Sequence, residues 1–374
     1  MENYTSGNIQ NQGYYKSFQP SNINRNWLLA DMEIQQLLSK ADRQLGRLDM
    51  YSEYIPSIDL FISMHVLKEA TQSNKIEGTQ TNIEEALLDK EDVVLDKRDD
   101  WEEVQNYIEA MNTAIKKLNE LPFSTRLIKD THKILLQGVR GQHKLPGEFR
   151  TSQNWIGGAT INDATFIPPI HASIHELMSD LEKFANNEEF YFPDLLKIAL
   201  IHYQFETIHP FLDGNGRVGR LIITLYLVDK TILKKPVLYL SDFFERNRSL
   251  YYENLMNVRT KNDLKQWFKF FLVGIIETSK NGIETFDAIL KLKKESEEKI
   301  QKTGNRSRHL LKVMDFLYQK PMLHPLKIMN FTNVSQATAY KIIEDLVTMD
   351  ILKEITGSKR GKVYVFDKYI QLFN

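Results

Sequence analysis

The chain has 374 residues, 42% of them hydrophobic, enough to bury a substantial core and to hold two or three domains. It contains no cysteine, which excludes disulfides, thiolate metal sites and cysteine nucleophiles. The net charge is −1, yet residues 301–374 carry twelve Lys/Arg against six Asp/Glu and leave −7 for residues 1–300, so the tail is basic and separately organised.

In chain order, the first twenty or so residues are rich in Asn, Gln, Ser and Tyr and read as a flexible or clasping tail. They lack the basic start and apolar run of a secretion signal, and no later stretch approaches a membrane-spanning length, so a cytoplasmic setting is expected. The segment Asn26 to Leu48 reads as an amphipathic helix. A second helix is expected from about Ser57, its cap, to Glu77, with Gly78 ending it. Ser73 and Glu77 are four apart and share a face. A glutamate in a last helical turn opposes the dipole by about a few tenths of a kcal/mol and should meet a cation.

Further on, Gln153-Asn154-Trp155-Ile156-Gly157-Gly158 and Thr165-Phe166-Ile167-Pro168-Pro169 flank a Gly-Ala-Thr-Ile-Asn-Asp connection and read as a hairpin. Trp155 and Phe166 there could be core anchors, surface contacts, or both. Pro193 to Phe205 is apolar at mostly helical spacing and should be a buried helix. The almost wholly apolar run from Leu221 to Val228 belongs to a second central helix starting near Gly216, because Arg217, Arg220 and Thr224 recur at three and four residues.

Between them lies His209-Pro210-Phe211-Leu212-Asp213-Gly214-Asn215-Gly216-Arg217-Val218-Gly219-Arg220, a loop at the mouth of a helix. A helix start offers unpaired N–H groups and the positive end of the dipole, so Gly214, Asn215 and Gly216 can wrap a phosphate. Arg217 and Arg220 can aim forked donors the same way. Asp213 among phosphates calls for a hard cation such as Mg²⁺, and His209 can take a proton from a hydroxyl. A plain turn would need neither the histidine nor both arginines.

This segment matches in full the His-x-Phe-x-Asp/Glu-Gly-Asn-Gly-Arg-x-x-Arg pattern of the Fic family, and the resemblance extends over roughly Leu60 to Leu272. It implies a mainly α protein: a Fic-type helical core with a short β-hairpin flap, transferring AMP from ATP to a Ser, Thr or Tyr hydroxyl of a target protein. By that resemblance His209 is the general base and Asp213 the Mg²⁺ ligand. Gly214, Asn215, Gly216, Arg217, Val218, Gly219 and Arg220 then bind ATP. Doc-type relatives, which move a phosphoryl group, carry lysine where this chain has Gly216. Ser73-Asn74-Lys75-Ile76-Glu77-Gly78 resembles the family's inhibitory motif, which implies that Glu77, with Ser73 and Gly78 around it, pairs with Arg220 and takes the place of the ATP γ-phosphate. Asn154, Trp155, Ile156, Phe166 and Ile167 resemble the flap, whose open edge could dock an extended target segment. Tyr251 and Tyr252 are the adenine-pocket candidates by family position, or else packing aromatics.

The expected division is 1–100, an N-terminal helical region with the inhibitory helix; 101–290, the catalytic core; and 303–374, a winged-helix-like domain. The last rests on helices at His309 to Tyr318, Leu326 to Met329 and Val334 to Leu346, the third capped by Ser335, then strand-like Ile351 to Ile355 and Lys362 to Phe366 around the basic Lys359-Arg360 turn. DNA is a conceivable partner for it, but the third helix offers Lys341 as its only cation, so dimerisation or target recruitment is favoured. The competing readings are a nucleotide-sensing DNA-binding regulator and a Fic-type enzyme that moves another phosphate-linked group or removes AMP.

Overall fold

The structure, a computed structural model, describes residues 4–28, 30–55, 58–356 and 362–374. The N-terminal tail is a clasp. Gly7–Asn11 (β1) and Lys16–Pro20 (β2) form an antiparallel hairpin. Asn262 fastens its base, accepting the Ser6 N–H at 2.7 Å and donating to the Tyr4 carbonyl at 2.8 Å.

The amphipathic helix expected from Asn26 lies instead at Met32–Tyr54 (α1), where the Asp31 carboxylate accepts the Ile34 N–H. Trp27 stays outside it because its indole is buried against Tyr4 and Phe192, with its N–H on the Ile23 carbonyl. Burial of an aromatic with a satisfied donor outweighs a helix propensity of tenths of a kcal/mol. The second expected helix is Ile58–Ile76 (α2); Ser57, its expected cap, lies outside the described residues, and Gly78 beyond its end has φ 101°.

Next come Ile83–Leu87 (α3), closed by an Asn82/Glu85 capping box, then Arg98–Lys117 (α4), Thr125–Leu135 (α5) and Ile174–Asn186 (α6). Asp194–Ile208 (α7) and Asn215–Asp229 (α8) form the centre, with almost every side chain buried. Their apolar character all round follows from being covered on every side. Ser241–Arg246 (α9) and Arg248–Lys261 (α10) lead into Leu264–Gln301 (α11), which packs along α1. At 1.5 Å per residue α11 is about 57 Å long, and the charged stretch from Asp287 is its far end.

The remaining elements are Ser307–Gln319 (α12), Met322–Leu323 (β3), Pro325–Thr332 (α13), Gln336–Thr348 (α14), Lys353–Glu354 (β4), Tyr364–Val365 (β5) and Asp367–Ile370 (α15). The strands form an antiparallel sheet in the order β3-β5-β4. Ser335 caps α14, accepting the Thr338 N–H. Lys359 and Arg360, the basic turn, lie outside the described residues. This unit rests on α2: Phe61 meets Tyr318 edge-on at 5.3 Å, His65 meets Phe373 at 5.0 Å, and the Ser63 hydroxyl donates to the Gln319 carbonyl at 3.0 Å. Among the described residues, no helix is long and apolar enough to cross a membrane.

Candidate active site

Helix α7 ends at His209, its C-cap at φ 50°, and α8 begins after Gly214 at φ 73°. Both positions are left-handed, a conformation glycine adopts freely and histidine only when its surroundings hold it. Three buried side chains supply that hold. Arg150, 2% exposed, donates to the carbonyls of His209 at 3.0 Å, Ser152 at 3.1 Å and Pro169 at 2.6 Å. Among the described residues it has no carboxylate partner, and burial pushes its pKa down to about 10. His132 accepts the Gly147 N–H on Nδ1 at 2.8 Å, so its Nε2 carries the proton and donates to the Asp213 carbonyl at 3.0 Å. Its ring stacks on Phe211 at 3.7 Å, and burial lowers its pKa to about 4.

The third is Asn215. Its carboxamide accepts the Phe211 N–H at 2.8 Å and donates to the Phe211 carbonyl at 2.9 Å. Asn215 belongs to the expected phosphate cradle through its main chain, and its side chain is committed to bracing the loop. The Gly214 N–H likewise turns to Asp213 Oδ1 at 2.6 Å. What faces an anion is the backbone of the first turn, where the N–H groups of Asn215, Gly216 and Arg217 have no intrahelical acceptor. Val218, another expected ATP contact, is fully buried in the core and can contribute only main chain.

The two arginines are held by different neighbours. Arg217, 5% exposed, donates to Glu103 Oε2 at 3.3 Å and Asn74 Oδ1 at 3.4 Å and lies 3.7 Å from Asp213. Arg220 donates from Nε to the Ser73 hydroxyl at 2.9 Å, and from one terminal nitrogen to the Ser73 carbonyl at 2.9 Å and Glu77 Oε1 at 2.6 Å. Burial opposes ionisation of Glu77, but Arg220, backed by Arg217, outweighs it and keeps the carboxyl below its ordinary range. A Cβ added at Gly216 would collide with Glu77 Oε1. The carboxylate therefore lies directly over the first turn of α8, where an anion would sit.

His209 is half-buried, with its Nδ1 covered and without a hydrogen-bond partner among the described residues. Its pKa is lowered to about 4, first by desolvation and then by the charges of Arg259 and Arg150, so the imidazole is neutral at physiological pH. The expected flap is a hairpin with one antiparallel bridge, Ile156 to Phe166, and a short 3₁₀ turn at Ile161–Asp163. Its residues face different ways. Asn154 points inward, donating to the Phe211 carbonyl at 2.9 Å. Phe166 is buried between Phe18 and the Arg259 guanidinium, which lies 3.9 Å from its ring centre. The Ile167 carbonyl accepts the Phe18 N–H at 2.9 Å, so β2 already occupies that edge, which the sequence had left open for a target. Trp155 is 40% exposed and Ile156 is half-buried.

The two tyrosines also separate. Tyr251 is a packing residue: it stacks on Phe244 at 4.5 Å and shares a 2.9 Å hydrogen bond with His202. Tyr252 is 41% exposed as a residue, and partial desolvation with the nearby Glu77 charge raises its pKa. Sequence reasoning assigned no role to Glu103, Arg150, His132, Glu206 or Arg259. Only Glu206 left a signal, a lone glutamate inside the apolar run before the loop.

Two sequence profiles match the chain, "Fic/DOC family N-terminal" over residues 35–116 and "Fic/DOC family" over residues 122–227, together half its length. A protein adenylyltransferase Fic of Aedes aegypti is 32% identical over 125 residues, 33% of this chain and 22% of that protein. The corresponding protein of Drosophila willistoni is 30% identical over 173 residues, 44% of this chain and 31% of that protein. The chain thus spans less than a third of the length of these curated relatives. A Fic family protein from Desulfovibrio desulfuricans has the same fold, with TM-score 0.57 at 18% identity over 91% of this chain and 98% of that one. A Fic domain containing signaling protein from Bacteroides thetaiotaomicron gives 0.52 at 20% identity over 68% and 96%.

Proposed function

The chain belongs to the Fic/DOC family, and from that premise we propose that it is an autoinhibited protein adenylyltransferase. It transfers AMP from ATP to a hydroxyl side chain of a target protein and releases pyrophosphate. The observation that carries this reading is the Glu77 carboxylate seated over Gly216 and bonded to Arg220, an internal anion lying where an outer phosphate would lie.

In this mechanism the neutral His209 imidazole takes the proton of the incoming hydroxyl. Its depressed pKa supports the role, because the base is unprotonated at working pH. The N–H groups at the start of α8 hold the α-phosphate, and Arg217 and Arg220 take the outer phosphates, so positioning and charge stabilisation supply most of the rate. Asp213 fits a hard divalent ion: its side chain is 43% exposed, and Gly141 leaves space beside its Oδ2. Mg²⁺ there would neutralise phosphate charge. Tyr252 is the better placed of the two tyrosines to line an adenine site, and Trp155 is the flap residue most available to a target.

On this reading residues 1–100 carry the inhibitory helix, 101–290 form the catalytic core, and 303–374 form a winged-helix-like module for protein contact. Among the described residues, several cations of that last unit are already paired, which supports contact over DNA binding. Lys341 is shared by Glu344 and Asp345, Lys362 is paired with Glu354, and Lys320 and Lys327 both bind Asp89.

The test is incorporation of α-labelled ATP with Mg²⁺ into the protein itself and into lysate, for wild type, Glu77→Gly and Glu77→Gly/His209→Ala. Strong labelling by the single variant alone is the expected result. ATP binding without labelling in any of them would instead favour a nucleotide sensor.

A further inference from the structure

Helix α8 carries a second glycine, Gly219, one turn beyond Gly216 and on the same face. A Cβ at Gly216 would collide with Glu77 Oε1, and a Cβ at Gly219 would collide with Oε1 of Glu206. Two carboxyls from different helices thus lie one turn apart along the same glycine strip, with Arg220 beside both. Glu77 comes from the end of α2 and has a partner. Glu206 comes from α7, is 6% exposed, and its Oε1 has no hydrogen-bond partner among the described residues.

An unpaired buried carboxylate would be costly, and one beside a phosphate costlier still; a protonated carboxyl in the same place is a neutral donor. We propose that Glu206 forms part of the floor of the nucleotide site, taking up a proton when the outer phosphates of ATP enter and donating its O–H to a phosphate oxygen. The inference rests on the adenylyltransferase reading and extends it, because it makes nucleotide binding a proton-linked event at a residue outside the motif.

The groups facing Glu206 are compatible with this. Glu77 approaches from the end of α2, Arg220 from α8, and Tyr251, Tyr252 and Arg259 from α10. Burial, with Glu77 adding to it and Arg220 and Arg259 opposing, pushes the Glu206 pKa up to about 7. Replacing the single charge of Glu77 by the larger charge of a triphosphate acts in the same direction and favours the protonated form further.

The experiment is calorimetric titration of Mg²⁺-ATP into Glu77→Gly/His209→Ala, which removes both the internal anion and turnover. Buffers of different ionisation enthalpy give the number of protons taken up, with and without Glu206→Gln, and thermal melts check folding. Close to one proton should be taken up at pH 7.5–8, and affinity should fall about tenfold or more between pH 6.5 and 8.5. With Glu206→Gln, which keeps a donor, uptake should vanish and affinity should become nearly independent of pH. Unchanged uptake in the Gln variant would overturn the inference, as would loss of ATP binding by a well-folded Gln variant. ATP binding with no uptake in either variant would overturn the role of Glu206 alone, whereas no ATP binding at all would overturn the nucleotide reading with it.

Discussion

The two sides of α2 are held by different physics. On the inner side Ser73, Asn74 and Glu77 meet Arg217 and Arg220, whose side chains are 6% and 1% exposed, although the Glu77 side chain is itself 36% exposed. On the outer side, and in the segment that follows α2, the C-terminal unit is held by an aromatic wedge and by ion pairs open to water. Lys320 and Lys327 bind Asp89 with about a third of each lysine side chain exposed, and His324 bonds Asp92 at 2.9 Å. Buried charges depend on keeping both partners, whereas exposed pairs contribute about 0–1 kcal/mol and can exchange. The inner face fixes one geometry through buried guanidinium groups, whereas the outer seat rests on buried aromatics, Phe61, Tyr318 and Phe373 being at most 1% exposed, and the ion pairs around it add little.

Breaking the inner side should give the largest effects. In the Glu77→Gly background, His209→Ala should lower AMP transfer about 10²–10⁴-fold, the usual worth of a general base, measured with α-labelled ATP. Arg150→Met should cost about 3 kcal/mol in urea denaturation, because it strands several buried carbonyls at roughly 1–3 kcal/mol each before relaxation. Loss of under 1 kcal/mol would show that water replaces the guanidinium. Glu77→Gly alone should raise transfer about 5–150-fold, the range of typical coupling free energies. On the outer side, Lys320→Ala/Lys327→Ala should change stability by only about 1 kcal/mol or less.

Acid titration sharpens the same contrast. Asp89 is depressed to about 2: burial opposes ionisation, and the hydrogen bonds and charges of Lys320 and Lys327 overcome it. A depressed carboxyl stabilises the fold above its unfolded pKa, near 3.9, and loses that contribution as pH falls through its folded value. The outer ion pairs should therefore survive neutral and mildly acid pH and fail between about pH 4 and 2, followed by tryptophan fluorescence. Activity should report the inner side. With His209 lowered to about 4 from an ordinary 6.5, the acid limb of the Glu77→Gly rate profile should fall well below pH 6. A limb centred near 6.5 would mean that the base is not the desolvated His209 imidazole.

The candidate site was legible wherever the types and spacing of residues within one segment define it. His209, Asp213, Arg217 and Arg220 sit together in one twelve-residue segment, the loop and the first turns of α8, and the paired helices around it follow from apolar periodicity. The Glu77–Arg220 pair was also legible, because a glutamate at a helix end has to find a cation and a matching motif named one. The roles of Asn215, Asn154 and Phe166 were not, because a carboxamide or a phenyl ring has no fixed direction until its neighbours are placed. Each proved to brace the loop or the flap rather than face open space.

The sequence by itself determined the helical class, the segment proposed to carry the chemistry, and the residue types able to hold phosphate and move a proton, since these depend on local order and period. Only the tertiary structure decided what lies against that loop. The clasp of β2 on the flap, the Arg150 carbonyl cluster, and Glu77 and Glu206 over the glycines of α8 join residues that are mostly far apart in the chain. Sequence fixes which groups are present; burial and close packing fix which of them must find partners, and where.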